Sequence, residues 1–168
     1  MSPMNFDDYD EDFEHVTERR TISEFEASTF ITMANFNTPM FMDHEYASKP
    51  DLHGGRIVPG MLTISIAEGL CIGAGLVGDQ GLALLEYRLT FQKPVYAGDT
   101  VQVRIRLDSK HLTSKPDRGV VTTEHRVENQ HGDTVAVYYA KRLLKTNAWS
   151  PDSAISGNGA ANGAGVAR

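Results

Sequence analysis

A lone carboxylate within an otherwise apolar stretch is the feature of this sequence that most directly suggests chemistry. Residues 57–78 run for 22 positions with one charged side chain, Glu68. If this stretch forms a buried helix, burial raises the pKa of the carboxyl group, which suits a general base. In the alternative, structural interpretation Glu68 pairs with Arg56 or Arg88, or accepts a hydroxyl hydrogen bond at a subunit interface.

Three further side chains of this stretch have potentially reactive groups. Thr63 and Ser65 are interpreted as buried hydroxyls bonded to the backbone rather than as nucleophiles, because no Asp–His relay accompanies them. Cys71 is interpreted as a small core residue, and a single cysteine can form neither an internal disulfide nor a metal cage. The sequence therefore predicts no metal site.

The distribution of charge argues against a nucleic-acid partner. The chain has 16 Lys and Arg residues against 22 Asp and Glu residues, a net charge of -6, and most of this excess lies within residues 1–20. The remainder is nearly neutral, so no basic face is left to neutralise phosphates. We expect residues 1–13 to form an acidic, flexible arm.

The apolar stretch is long enough to cross a bilayer, but its composition favours a buried helix. Pro59 lies near its start, several glycines interrupt it, and the central carboxylate would be costly to insert. A helix over residues 60–73, buried on nearly all sides, is the better interpretation. Because residues 1–52 contain no apolar run behind positive charge, we expect a cytoplasmic protein that does not enter a membrane.

The elements around this helix follow from hydrophobic periodicity. A short strand is predicted at residues 17–22, a helix starting from Ser23 in a capping box, and a helical turn at 43–48. Alternating apolar residues then predict strands at 85–92, 100–107, 120–127 and 134–144. One curved antiparallel sheet around a central buried helix accounts for both the helical and the strand periodicity. The predicted fold class is therefore α+β.

The predicted domain occupies residues 14–147, followed by a Gly- and Ala-rich flexible tail over 148–168. The predicted sheet leaves open strand edges. Pairing of two copies edge to edge would close them, so we expect a homodimer.

Three stretches of the sequence resemble the hot-dog fold and, within it, the MaoC-like hydratase/dehydratase family. They are Asn-Thr-Pro-Met-Phe-Met-Asp at 37–43, His-Gly-Gly-Arg-Ile-Val-Pro-Gly-Met-Leu at 53–62, and Phe-Gln-Lys-Pro-Val-Tyr-Ala-Gly-Asp at 91–99. The resemblance runs from about residue 21 to residue 144. Each motif alone is weakly specific, whereas the three in this order and spacing indicate the family.

The resemblance implies an enzyme that adds water to, or removes it from, an acyl thioester. The substrate would be a small molecule carried on coenzyme A or phosphopantetheine, an enoyl or 3-hydroxyacyl group, and no further cofactor is implied. Gly60 matches the family's helix-start glycine, so its N–H is the expected donor to the thioester oxygen, assisted by the helix dipole. The alternative is that Gly60 only permits a tight turn.

The family's usual Asp and His pair is not matched. Phe41 stands where the family has His, and the family's Asp falls on Phe36, or on Asn35 if Thr38 is an insertion. Asn35 or Asn37 could orient a water or a carbonyl. His44 could swing inward if the loop bulges at Thr38; otherwise it faces solvent.

The remaining candidate residues have predicted roles in substrate binding, which Asn37 and Phe41 share. Asp43 matches a family Asp and is interpreted mostly as a cap of the following turn. His53 and Gly55 are placed at the pocket mouth, with loop packing as the alternative, and Ser65 lies along the helix.

In hot-dog thioesterases, an acid about eight residues past the helix-start glycine acts as nucleophile or base, and Glu68 has this spacing.

Three functions therefore stay open. The first is a hydratase or dehydratase with an altered catalytic set that includes Gly60, Glu68, His44 and Asn35. The second is a thioesterase using Glu68. The third is a non-catalytic acyl-binding subunit that pairs with a catalytic homologue in a heterodimer.

Overall fold

The computed structural model describes residues 3–49, 51 and 53–151. Its elements in chain order are β1 (Glu14–Val16), β2 (Arg20–Thr21), α1 (Glu24–Met33), α2 (Pro39–Met42), α3 (His44–Ala47), α4 (Gly60–Gly73), β3 (Gly81–Phe91), β4 (Thr100–Leu112), β5 (Arg118–Glu128) and β6 (Thr134–Lys145). Short 3₁₀ turns lie at Phe6–Asp8 and Gly78–Gln80. The strand predicted at residues 17–22 is instead divided between β1 and β2.

The strands form one antiparallel sheet in the order β1-β4-β5-β6-β3, with β2 added alongside β4. Residues of the inner sheet face pack against α4. Val103, Ile105, Val127 and Tyr138 are within 1% of complete burial and share a cluster with Ile66 of α4. The predicted α+β hot-dog architecture, a sheet curved around a central helix, is confirmed.

Helix α1 begins as its sequence predicts. The Ser23 hydroxyl accepts from the Glu26 N–H, and the Glu26 carboxylate accepts from the Ser23 N–H, so the capping box is complete. At the other end, Asn35 has φ +56, the left-handed conformation that follows many helix ends. The segment 35–38 leads into the short helices α2 and α3 over the outside of the domain.

Helix α4 is central but not buried all round. Leu62, Ile64 and Ala67 face the core, whereas Met61 and Ile72 are about half exposed, at 49% and 56%. The expectation of a helix covered on nearly all sides is therefore wrong, since one stripe of α4 is open in the single chain. In the described part of the chain, no helix has the length and apolar character needed to span a membrane.

The expectation of a flexible acidic arm over residues 1–13 is also corrected, for the described residues from position 3 onward. Phe6 and Tyr9 are 6% and 3% exposed and cluster with Val121 and Leu144 of the sheet. The Tyr9 hydroxyl donates a 2.5 Å hydrogen bond to the carbonyl of Leu76. Two aromatic side chains within the acidic segment supply enough apolar surface to hold it on the sheet.

The predicted C-terminal tail falls mostly outside the described residues, which end at Pro151. Within the described part, the Trp149 ring lies near the cations of Arg118 and Lys145. The domain boundary at residue 147 stays a prediction.

Candidate functional site

The N-terminus of α4 is left without a side-chain cap. Pro59 is the N-cap residue, and it has no side-chain group that could accept from the first N–H groups of the helix. Pro59 accepts from the N–H groups of Leu62 and Thr63 at 2.9 and 3.3 Å. The N–H of Gly60, at the first helical position, has no acceptor within the helix, and the helix dipole adds positive charge there.

Gly60 is required by a close approach. A Cβ at this position would lie 2.6 Å from the Phe91 ring, closer than such atoms approach in proteins. The Phe91 side chain, 50% exposed, therefore rests directly on the start of α4. This packing explains the glycine structurally and places an aromatic ring beside the free N–H.

A cavity of about 370 Å³ opens at this end of α4. Its walls are mainly apolar side chains from the segment before α4, from the end of β3 and the connection after it, and from β6, including Ile57, Val58, Phe91, Val95, Val135 and Ala136. Gly60, Thr63, His53, Gln92 and Lys93 supply its polar groups. Lys93 donates to Asp133 at 2.6 Å, so its charge is already paired. A cavity of this character suits an apolar group attached to a polarised carbonyl.

The predicted loop residues do not reach this cavity. Asn35, Asn37, Asp43 and His44 are exposed and are not among the described residues that line it. The Asn37 side chain donates to that of Asn35. Asp43 accepts from the Tyr46 N–H at 3.0 Å, so its predicted role as a cap of the following turn is confirmed. In the single chain, the expectations that His44 and Asn35 take part in catalysis and that Asn37 contacts substrate are not supported.

Phe41 occupies the interior of this loop rather than the cavity. Its ring stacks on Phe36 at 6.1 Å between centroids, and Phe36 in turn packs edge-on against Phe30 at 5.7 Å. Phe41 and Phe36 thus form an aromatic stack within the loop. This aromatic packing helps to hold the loop against α1.

The other predicted binding residues divide between cavity and surface. His53 lines the cavity, and its carbonyl accepts from the Tyr96 hydroxyl at 2.6 Å, so it both packs the loop and borders the site. Gly55 lies against the Tyr96 ring, which a Cβ would meet at 3.5 Å. Ser65 donates to the Met61 carbonyl at 2.8 Å, as predicted for a hydroxyl bonded to backbone, but it is exposed rather than buried and is not among the described residues that line the cavity. Gly60 and His53 are the predicted residues that the structure brings together here.

Glu68 belongs to a different, buried polar cluster. Arg142 Nη2 donates to Glu68 Oε2 at 2.5 Å, and the Tyr138 hydroxyl donates to Glu68 Oε1 at 2.7 Å. Glu68 is not among the described residues that line the cavity at Gly60. The expectation that Glu68 serves as a base in that cavity is therefore corrected, because a guanidinium and a phenol already occupy its oxygens. The pairing partner is Arg142, not the predicted Arg56 or Arg88.

The cluster extends from Glu68 along β5 and β6. His125 and Tyr138 are paired across the two strands and their rings stack at 4.3 Å between centroids. His125 Nε2 lies 2.7 Å from the Thr123 hydroxyl, and Cys71 Sγ lies 3.5 Å from His125 Nδ1. Thr123, His125 and Tyr138 lie on the sheet, and Cys71 meets them from α4.

Burial and charge shift the ionisation of this cluster. Burial alone would raise the pKa of Glu68, but the Arg142 charge and the hydrogen bonds from Tyr138 and Arg142 outweigh it and hold that pKa below its ordinary value. Burial lowers the pKa of His125 to about 3 and raises the pKa of Cys71 to about 12. At neutral pH the cluster therefore holds an ion pair, a neutral imidazole and a neutral thiol.

The donor atoms of Glu68, Cys71 and His125 lie within 4.8 Å of one another, close enough for a metal ion. Arg142, however, already neutralises the Glu68 carboxylate. A cation would have to displace that guanidinium, so the geometry favours an ion pair over a metal site.

Sequence reasoning missed Arg142, Tyr138 and His125 as partners of Glu68. It correctly predicted that Thr63 is buried, but the predicted hydrogen bond from its hydroxyl to the backbone is wrong for the described residues. Arg142 and Tyr138 lie on β6 and His125 lies on the neighbouring strand β5. Their residue types gave no local signal that their side chains face inward. Thr63 is 1% exposed, and its hydroxyl has no hydrogen-bond partner within the described part of the chain.

Comparison with known proteins identifies relatives of this arrangement. The model of the MaoC like domain matches residues 9–129. Protein MaoC of Klebsiella aerogenes is 32% identical over 109 residues, which are 61% of this chain and 31% of that protein. The chain thus spans about a third of the length of the curated relative it matches.

Two solved structures are similar over nearly the whole domain. The monoamine oxidase regulatory protein from Archaeoglobus fulgius is 26% identical with a TM-score of 0.78, over 87% of this chain and 97% of that chain. The R-hydratase PhaJ1 from Pseudomonas aeruginosa is 22% identical with a TM-score of 0.69, over 88% of this chain and 93% of that chain. The second likeness shows a shared fold.

Proposed function

Because the chain belongs to the MaoC-like domain family, we propose that it hydrates enoyl thioesters, or dehydrates 3-hydroxyacyl thioesters, at the cavity beside Gly60. The observation that carries the proposal is the uncapped start of α4, whose first N–H borders an apolar cavity of about 370 Å³. The substrate is an acyl group on coenzyme A or phosphopantetheine, and no other cofactor is proposed.

In the proposed reaction the thioester oxygen accepts a hydrogen bond from the Gly60 N–H. Polarisation of the carbonyl makes the β-carbon of an enoyl group electrophilic, and the helix dipole stabilises the enolate-like charge that develops. The oxygen of water bonds to the β-carbon, and the α-carbon gains a proton as the double bond becomes single. Ile57, Val95 and Val135 provide the apolar wall for the acyl chain.

We assign the proton transfer to His53. Among the described residues that line the cavity, its imidazole can both accept and donate a proton. It would accept a proton from the attacking water and return one to the α-carbon, so that the proton count is conserved. His53 would replace the Asp and His pair that the loop at residues 35–44 does not supply.

A non-catalytic acyl-binding subunit is the second candidate function. The stack of Phe36 and Phe41 favours it, since these rings fill the positions where the family resemblance places proton-transferring groups. A thioesterase based on Glu68 is not proposed, because that carboxylate is engaged by Arg142.

A dimer is part of the proposal. Strand β3 pairs with β6 on one edge, and its side chains Leu84 and Leu85 are 53% and 50% exposed. The open stripe of α4, with Met61 and Ile72, adds exposed apolar surface. Pairing with a second copy, or with a homologous catalytic chain, would cover such surfaces.

The direct test is an assay of the purified protein with trans-2-enoyl-CoA substrates of increasing chain length. Loss of the enoyl absorbance without release of free thiol supports hydration. Release of thiol would instead indicate a thioesterase. Binding without turnover at any chain length would favour the acyl-binding subunit and contradict the hydratase.

A further inference from the structure

The hydroxyl of Thr63 is a buried polar group that the described part of the chain leaves without a hydrogen bond. Thr63 is 1% exposed and lines the cavity at the start of α4, and its Oγ1 has no hydrogen-bond partner within the described residues. A buried hydroxyl left unpaired destabilises the folded chain. Such a group in a cavity wall points to a ligand that completes its hydrogen bonds.

The usual partner of a helical threonine is not free here. A threonine in a helix commonly donates to the carbonyl four residues earlier, which for Thr63 is that of Pro59. The Pro59 carbonyl already accepts from the N–H groups of Leu62 and Thr63 at 2.9 and 3.3 Å. Both of its lone pairs are in use, so the hydroxyl has no acceptor behind it.

The position of Thr63 relative to Gly60 suggests which ligand atom it contacts. Residues three apart are neighbours on a helix surface, and Thr63 lies about 4.5 Å further along the axis than Gly60. An acyl chain that runs from a thioester carbonyl at the Gly60 N–H toward Thr63, within the same cavity, would bring its β-carbon next to this hydroxyl. The oxygen on its β-carbon is the polar group that follows.

We infer that the Thr63 hydroxyl binds the oxygen at the β-carbon of the acyl thioester, which is the attacking water before hydration and the 3-hydroxyl of the product. This inference rests on the proposed function and extends it to a substrate-recognition residue. Thr63 donates or accepts a hydrogen bond and keeps its own proton, so the reaction balance is unchanged. Recognition of the 3-hydroxyl distinguishes hydroxyacyl from saturated acyl thioesters in the same cavity.

Calorimetric titration of the full-length protein with butyryl-CoA and 3-hydroxybutyryl-CoA tests the inference, because these ligands differ only in the 3-hydroxyl. Thr63→Val should weaken binding of 3-hydroxybutyryl-CoA by about fivefold to tenfold, as expected for one lost hydrogen bond, and leave butyryl-CoA unchanged. Thr63→Ser, which keeps the hydroxyl, should retain the wild-type preference. Thr63→Ala provides a second removal of the hydroxyl should the valine variant not fold.

Thermal unfolding separates this role from a structural one. Thr63→Val should unfold at the same temperature as wild type or higher, since it replaces an unpaired buried hydroxyl with a methyl of similar shape. Equal loss of affinity for both ligands, or no loss for either, would overturn the inference while the proposed function stands. The wild-type protein can be tested with saturated and 3-hydroxyacyl thioesters of both four and eight carbons. If it binds none of them, the inference and the proposed function are both wrong.

Discussion

Arg142 and Glu68 form an ion pair beneath α4, with 2.5 Å between Nη2 and Oε2, although 74 positions separate them in the chain. The Arg142 side chain is 9% exposed and that of Glu68 20% exposed. This pair joins the central helix to β6 at the level where strand β5 contributes His125. Glu68 is thereby a structural residue of the helix–sheet interface.

Glu68→Gln should therefore destabilise the fold rather than remove activity. The substitution leaves the buried Arg142 charge uncompensated, which costs about 3 kcal/mol. Urea unfolding measures the loss, and turnover should persist under conditions where the variant is folded. Glu86→Gln is the matched control, because Glu86 and Arg88 form an exposed pair at 3.5 Å that contributes little. Full stability with abolished turnover in Glu68→Gln would show that the carboxylate acts in catalysis.

Removal of the Gly60 N–H should reduce turnover about 100-fold, the usual effect of losing one oxyanion donor. Gly60→Pro achieves this, since proline is favoured at the first position of a helix and Pro59 already has the extended ψ of 127 that precedes a proline. Initial rates of enoyl hydration give the comparison.

Gly60→Ala is the control for the proline substitution. It displaces the Phe91 ring in the same way, because a Cβ would meet that ring at 2.6 Å, but it keeps the N–H. Equal rates in the alanine and proline variants would mean that the N–H is not the donor.

Stability should decrease on mild acidification because of His125. Its folded pKa is about 3, whereas an unfolded histidine titrates near its ordinary value of about 6.5, so the unfolded chain takes up the proton first as the pH falls. The free energy of unfolding then decreases as the pH falls from about 6.5 toward about 3. Urea titrations at pH values above and within this range measure the slope.

His125→Gln should flatten this pH dependence, whatever its own effect on stability. The exposed His111 on β4 provides the control, and His111→Gln should leave the slope unchanged. An identical slope in wild type and His125→Gln would assign the acid sensitivity to other groups.

The N-terminal segment should contribute measurably to stability. Phe6→Ala removes a ring that is 6% exposed and packed against Val121 and Leu144, at a cost of about 3 kcal/mol. Phe25→Ala, the same substitution at a side chain that is 79% exposed, should have little effect. Equal unfolding midpoints for the two variants would show that the segment does not stabilise the fold, as predicted for a flexible arm.

The elements that are defined by local patterns were predictable. The capping box at Ser23, the helix from Gly60 and the alternating strands all lie within short windows, where periodicity and turn chemistry decide the backbone. The packing of residues 3–13 was not predictable in this way. Their acidic composition masked two aromatic residues, Phe6 and Tyr9, whose partners lie more than 100 positions away.

The candidate site shows the same division. Gly60 and His53 belong to one continuous motif, so the sequence placed both at the cavity. His44, Asn35 and Asn37 lie on a loop whose direction is set by aromatic packing among Phe30, Phe36 and Phe41. No spacing rule predicts which way such a loop turns.

The sequence by itself determined the family, the curved sheet and the glycine at the start of its central helix, because each is encoded by neighbouring residues. Only the tertiary structure decided that Glu68 is neutralised by Arg142 and that the Thr63 hydroxyl, in the cavity wall, finds no partner among the residues the structure describes. The physical reason is that ionisation and hydrogen bonding depend on which groups meet in space. Which groups come into contact is set by the pairing register of strands that are far apart in the sequence.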